Sequence, residues 1–129
     1  MIVVDSSVWI DFLNGRSTHR VRLLQELLGA EPLLVGDLIL LEVLQGVQSD
    51  LQAARVEAAL RRFDVAPMLD PRLAVVAAAH YRRLRALGVT VRKTVDLIIG
   101  TFCIASDHAL LTADRDFIPM ARHLGLRLV

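Results

Sequence analysis

The chain is expected to adopt an α/β fold around a central, mainly parallel sheet of four to five strands, and three observations carry that expectation. Short apolar runs, IVVD at 2–5, LLVG at 33–36, FDVAP at 63–67 and ALLTA at 109–113, alternate with longer segments of helical period. Gly15, Gly29 and Gly88 close helical segments, as residues that tolerate the conformation a helix end requires. Strands separated by helices pair in parallel, because each return to the same edge of a sheet needs a crossover. In such sheets sites form beyond the carboxyl ends of the strands, and Asp5 and Asp114 both fall just past a predicted strand.

The elements follow in order. Residues 2–5 read as a buried parallel strand, a short continuous apolar run with no polar alternation. Ser6 and Ser7 start a helix through Phe12, which Asn14 and Gly15 end. Val21, Leu24, Leu27 and Leu28 share one face of a helix over residues 18–28, with Gly29 as its stop. After the LLVG strand, Asp37 is expected as the N-cap of a helix reaching about Gln48, and residues 51–62 continue helical. FDVAP makes a third strand, and Pro71 opens a long helix rich in Ala and Arg that ends at Gly88. A helix from Thr94, read as its cap, to about Ser106 is apolar on nearly every side and should be central and buried. ALLTA is the fourth strand, Asp114 opens the last helix, and LRLV at 126–129 reads as an edge strand. No repeat, low-complexity stretch or linker divides the 129 residues, so a single domain over 1–129 is expected.

Composition narrows the function classes. With 54% hydrophobic and 22% charged residues the chain has the means to build a core and nothing reads as disordered. The net charge of +1 does not announce a nucleic-acid binder, yet fourteen of the fifteen cations are Arg and only Lys93 is Lys. Arg offers a planar fork suited to phosphate, although a GC-rich genome would also favour it. The lone Cys103 excludes an intramolecular disulfide and a thiolate zinc knuckle. His19, His80, His108 and His123 form no pair at ligand spacing on one helix face, which disfavours a histidine metal site. The N-terminus lacks the order of a signal peptide and the apolar runs are too short to span a bilayer, so a cytoplasmic protein with no membrane association is expected.

Four carboxylates interrupt or end the most apolar stretches: Asp5 after Ile-Val-Val, Glu42 inside LILLEVLQG, Asp96 before LIIGTFCIA, and Asp114 after ALLTA. An unpaired buried charge costs several kcal/mol or loses its charge, so acids are rarely placed where a core is being built. Each has an ordinary explanation on its own. Asp96, Asp114 and Asp116 lie near helix starts and would complement helix dipoles, Asp5 would serve as a turn acid, and Glu42 would pair with a half-buried Arg. Glu42 fits its explanation least, since it stands a full turn into its helix among Leu40, Leu41, Val43 and Leu44. One shared reason covers all four: a divalent cation with hard oxygen ligands converts mutual repulsion into coordination.

The segments VVDSSVWIDFL, LILLEVLQG, TVDLIIGTFCIA and LLTADRDF, in this order and spacing, resemble the acidic motifs of PIN-domain ribonucleases, and the short length resembles VapC toxins of bacterial toxin-antitoxin pairs. The likeness spans nearly the whole chain and implies a PIN-like α/β/α sandwich. It implies that Asp5, Glu42, Asp96 and Asp114 hold Mg²⁺ or Mn²⁺ directly or through water, with Asp116 a further acid of variable role. It also implies that Ser7 and Thr112 orient ligands or water, where helix capping and strand-end hydrogen bonding are the plainer alternatives. Ile99 and Gly100 depart from the Ala that relatives often carry there, a difference of packing rather than of ligands. The activity implied is endoribonuclease hydrolysis by a metal-activated water, leaving a 5′-phosphate and a 3′-hydroxyl, and the chain shows no Cys-His or Ser-His motif that would replace it.

An acidic pocket repels a polyanion, so cations are needed at its rim, and Arg92, Lys93 and Arg115 are the sequence-local candidates for RNA phosphate. Arg82, Arg83 and Arg85 would extend that track or form an ordinary polar face. Aromatics are few, so a shaped RNA such as tRNA or rRNA fits better than stacked single bases. Trp9, Phe12 and Leu13, with Ile10, give the first helix more apolar surface than one buried stripe requires. Core packing explains it, or, by resemblance, proximity to the groove for a VapB-like antitoxin; a homodimer is likewise implied by resemblance alone. A receiver domain would need paired acids after the first strand and a late Lys, and a haloacid dehalogenase-type phosphatase D-x-D where Asp5 is followed by Ser6 and Ser7. The non-enzymatic alternative is a catalytically inactive PIN-like module that binds RNA or protein.

Overall fold

In the computed structural model, which describes residues 1–129, five strands form one sheet: β1 (Ile2–Val4), β2 (Leu33–Gly36), β3 (Asp64–Ala66), β4 (Ala109–Leu111) and β5 (Arg127–Leu128). Their order is β3-β2-β1-β4-β5 and every pairing is parallel, so the sheet is wholly rather than mainly parallel and the LRLV edge strand is present. Register places Ile2 beside Leu33 and Ala109, which brings the carboxyl ends of β1 and β4 side by side at the centre. The chain winds outward from β1 to β3 and then crosses to β4, so the topological switch lies between β1 and β4.

The helices are α1 (Ser6–Leu13), α2 (His19–Leu27), α3 (Asp37–Gln45), α4 (Asp50–Leu60), α5 (Pro71–Ala86), α6 (Thr94–Ala105) and α7 (Ile118–Leu124). α1 packs on α2 and α3, and α3 on α4, while α5 packs on α6 and α7; right-handed crossovers put these groups on opposite faces of the sheet. Twenty-five buried apolar residues form one cluster, and Val3, Val4, Leu110 and Leu111 in the central strands are fully buried, as strands covered on both faces must be. The edges are wetter, with Asp64 and Val65 of β3 and both residues of β5 exposed. No helix is long and apolar enough to cross a membrane.

Several local expectations need correction. Asp37 is the first residue of α3 and not its N-cap, which is Gly36; its carboxylate accepts from the Leu38 and Met68 N–H groups, tying α3 to the segment after β3. α3 ends at Gln45 rather than near Gln48, with Gly46 at its C-cap. Lys93 takes the N-cap position of α6, without a side-chain cap, so Thr94 is the first helical residue. Asp114 opens a 3-10 turn, Arg115–Phe117, before α7 begins. Gly100 has a packing reason: a Cβ there would collide with the side chain of Met120 in α7, which fills the space an alanine would need.

Candidate metal centre

Asp5 leaves β1 directly into α1 and is 3% exposed. It stands at the N-cap position of α1, yet its side chain makes no cap hydrogen bond, which removes the turn-acid explanation. Its Oδ2 instead accepts from two hydroxyls, Ser7 Oγ at 2.7 Å and Thr112 Oγ1 at 2.9 Å. Each hydroxyl is aimed by a backbone donor, since Ser7 Oγ accepts from the Ala113 N–H at 3.2 Å and Thr112 Oγ1 from the Asp114 N–H at 3.0 Å. A hydroxyl that accepts from an amide keeps its proton for the remaining partner, here the carboxylate. Asp114 Oδ1 in turn accepts from the Asp116 N–H at 2.8 Å. The ends of β1 and β4 are thereby locked together, and Asp5 is left with Oδ1 clear of these donors.

Glu42 reaches the same edge from the second turn of α3, half-buried, and its Oε1 accepts from Ser6 Oγ at 3.0 Å. The protein's ion pairs involve Asp11, Glu57, Asp116 and Asp107, so Glu42 has no arginine partner and the structural ion-pair explanation fails. Ser6 is the functional neighbour the sequence reading missed; it looked like a helix starter, and only the packing of α1 on α3 shows that its hydroxyl serves the acid. Asp96, third residue of α6, is 6% exposed, and its Oδ2 is buried with no hydrogen-bond partner. Oxygens of Asp96, Asp114 and Asp116 all lie within 4.8 Å of one another.

The electrostatics tie the set together. Burial first, then the charges of Asp114 and Asp5, push the Asp96 carboxyl up to about 6, against a modest lowering by Lys93. Glu42 is also raised, chiefly by burial and further by Asp5 and Asp114, while the Ser6 hydrogen bond and Lys93 oppose the shift. The four acids therefore share one field, and Lys93 is the cation felt by both shifted groups.

The PIN domain family matches residues 2–122, covering every one of these acids. The chain belongs to the PIN domain family. Over 132 aligned residues it is 27% identical to Ribonuclease VapC11 of Mycobacterium tuberculosis and to VapC ribonuclease Mb1587 of Mycobacterium bovis, across 98% of this chain and 96% of each relative. In three dimensions it resembles a chain of VapBC2 from Rickettsia felis, solved bound to a DNA fragment from its promoter, with a TM-score of 0.78 at 17% identity, covering 100% of this chain and 98% of that one. A chain of VapBC-1 from nontypeable Haemophilus influenzae matches with a TM-score of 0.77 at 18% identity, covering 100% and 97%. At such identities these structures establish the fold.

The acid set of this PIN domain fits a hard divalent cation. All the donors are carboxylate oxygens, those of Asp96, Asp114 and Asp116 gather within 4.8 Å of one another, and the buried Asp96 Oδ2 lacks any other partner. Arg92, Arg115, Asp96 and Asp116 border a cavity of about 130 Å³ beside the cluster. Arg92 is already engaged there, its Nη2 donating to Asp116 Oδ1 at 2.9 Å.

A larger cleft of about 380 Å³ lies elsewhere on the PIN domain, between α1, α3 and α4, bordered by Ile10, Leu13, Val43, Val47 and Val56. A neighbouring cleft of about 210 Å³ is almost wholly apolar and brings Trp9, Phe12 and Leu13 against Leu60 and Phe63. Trp9, Phe12 and Leu13 of α1 are not equivalent: Trp9 is 3% exposed and packs its ring on Phe12 and Phe63, Phe12 is half-buried, and Leu13 is 42% exposed.

Proposed function

We propose that the protein is an Mg²⁺- or Mn²⁺-dependent endoribonuclease and the toxin of a VapBC-type toxin-antitoxin pair. The observation that carries the reading is the buried, unpartnered Asp96 Oδ2 beside Asp114 and Asp116, a position that a cation satisfies and that no side chain of the protein does. In this reading the ion sits among Asp96, Asp114 and Asp116, whose oxygens converge, and Asp5 and Glu42 complete its surroundings directly or through water. When bound, the cation supplies a water of lowered pKa and neutralises charge on the phosphate. The protein's own contribution is positioning. Ser7 and Thr112 fix Asp5 through Oδ2 and leave Oδ1 clear of those donors, Ser6 fixes Glu42, and the Asp116 N–H fixes Asp114.

Arg92, Lys93 and Arg115 at the rim draw RNA phosphate toward an otherwise repelling pocket. Because Trp9 is buried and the other aromatics are few, recognition rests on the shape of a folded RNA such as tRNA or rRNA rather than on stacked bases. The clefts beside α1, one of them almost wholly apolar, receive a VapB-like antitoxin, and a homodimer completes the expected assembly. Purified protein should cleave a folded tRNA with Mg²⁺ or Mn²⁺ and not in excess EDTA. Asp96→Asn should lower the rate by about a hundredfold or more, the size expected when a charge-stabilising group of a catalytic site is lost, with an unchanged circular dichroism spectrum. Full cleavage in EDTA, or RNA binding without cleavage under any metal condition, would overturn the reading, the second in favour of an inactive binding module.

A further inference from the structure

Asp116 is held by an arginine of its own chain. Arg92, in the segment joining α5 to α6, donates from Nη2 to Asp116 Oδ1 at 2.9 Å, with the Arg92 side chain 76% exposed and that of Asp116 29% exposed. The Asp116 carboxylate is also one of the three whose oxygens lie within 4.8 Å of one another. A guanidinium and a divalent cation answer the same negative charge in different ways, the first through directed hydrogen bonds and the second through direct coordination. A carboxylate facing both cannot serve both fully. The other acids carry no such competitor, since Asp5 and Glu42 are oriented by neutral hydroxyls and Asp96 Oδ2 has no partner. Arg92, Asp96 and Asp116 border one cavity of about 130 Å³, wide enough for an ion that retains waters.

We propose that Arg92 and a divalent cation compete for Asp116, so that Arg92 is the resident counter-ion of the outer half of the site and is displaced when a cation occupies it. The proposal rests on the reading of the acids as a metal site and deepens it, because it gives Arg92 a role inside the protein that precedes any contact with RNA. Its consequence is an order of events. While paired to Asp116 the guanidinium is committed to a carboxylate, and once a cation takes that carboxylate the planar fork is free to meet phosphate. Metal occupancy and phosphate binding then support one another.

The test is titration of the full chain with Mn²⁺ alone, following free Mn²⁺ by electron paramagnetic resonance, on wild type, Arg92→Ala, Asp116→Asn and the double variant. Removing the Arg92 side chain should tighten Mn²⁺ binding by about three- to fivefold, the size that an exposed ion pair supports. In the Asp116→Asn background the same change should alter affinity by less than about twofold, because the contested carboxylate is gone. Equal tightening in both backgrounds would make Arg92 a general positive charge near the site and overturn the proposal, as would no tightening in the first. Failure of all four proteins to bind Mn²⁺ would overturn the metal reading itself and this proposal with it.

Discussion

Two regions of this PIN domain hold surface that its own chain does not satisfy, and they are opposites. At the carboxyl edge of β1 and β4, acids crowd together with Lys93 as their common positive neighbour. Beside α1 lie two clefts that no element fills, one mixed, with Asn14, Gln48 and Gln52 among its apolar neighbours, and one almost wholly apolar. The buried side-chain polar atoms without a partner number two, and they divide between the regions: Asp96 Oδ2 at the acid edge and Trp9 Nε1 beside the clefts. Polar satisfaction elsewhere in the core shows that this sequence is able to pair its groups. At the acid edge the open atom is a carboxylate oxygen, which a hard cation would satisfy, whereas the indole N–H beside the clefts is a buried donor that an apolar contact would leave unpaired.

The largest effect that separates the regions is a dependence on pH confined to the acid edge. In the unfolded chain the Asp96 carboxyl ionises near 3.8, and in the folded protein it holds its proton up to about 6. Between these values the folded state binds more protons than the unfolded one, so metal-free stability falls as pH rises through that window. Below about pH 4 both states are protonated and the penalty is absent, and above about pH 6 it is complete. At 1.36 kcal/mol per unit the full penalty is about 3 kcal/mol, carried by a side chain 6% exposed, and raised Glu42 adds to it with the same sign. Urea unfolding of metal-free wild type and Asp96→Asn should show the variant more stable at pH 7 and the gap closing toward pH 4. A gap of the same size at every pH would mean that Asp96 carries no such penalty.

Metal should relieve what pH exposes. An ion that binds only the folded state adds roughly 2.7 kcal/mol at one hundred times its dissociation constant, or about 10 °C in melting temperature for a chain of this size. Asp5→Asn keeps a carbonyl oxygen able to accept from Ser7 and Thr112 but removes a charge, so the metal-free variant should melt higher than wild type and lose most of the metal response. Melting curves with and without millimolar Mg²⁺ or Mn²⁺ decide it. A wild type with no shift would leave the acid edge as a cost without a ligand.

Much of this was legible before any coordinates. The strands were found because buried parallel strands are short apolar runs, and the helix ends because Gly15, Gly29 and Gly88 have positive φ, which glycine adopts without strain. The four acids stood out because charge inside apolar sequence is anomalous, Glu42 most of all. Helix starts were less legible: Asp37 and Thr94 are good capping residues by type, but Gly36 and Lys93 take the cap positions because strand and loop geometry, not side-chain preference, sets where the helix begins. Partners distant in sequence were not legible at all. Ser6 serving Glu42 and Arg92 holding Asp116 depend on how α1 meets α3 and how the loop before α6 meets the 3-10 turn. Nor does helical period separate Trp9 from Leu13, since four residues apart they share one helix face, and the packing of Phe63 against the indole helps make the first a core residue.

That last distinction gives the smallest effect and the sharpest test of the apolar region. Leu13 borders both clefts and is 42% exposed, so an Asp in its place buries no charge and opens no cavity in the core. Leu13→Asp should change folding stability by no more than about 0.5 kcal/mol, as surface substitutions do. It should leave metal-dependent RNA cleavage unchanged, because Leu13 lies on the clefts beside α1 and away from the acid edge. Against a VapB-like antitoxin it places a charge in an apolar contact, and calorimetry should show affinity weakened at least about tenfold, or about 1.4 kcal/mol. Unchanged antitoxin affinity, or a large loss of stability, would show that the open surface beside α1 is imperfect packing and that only the acid edge was left open for a ligand.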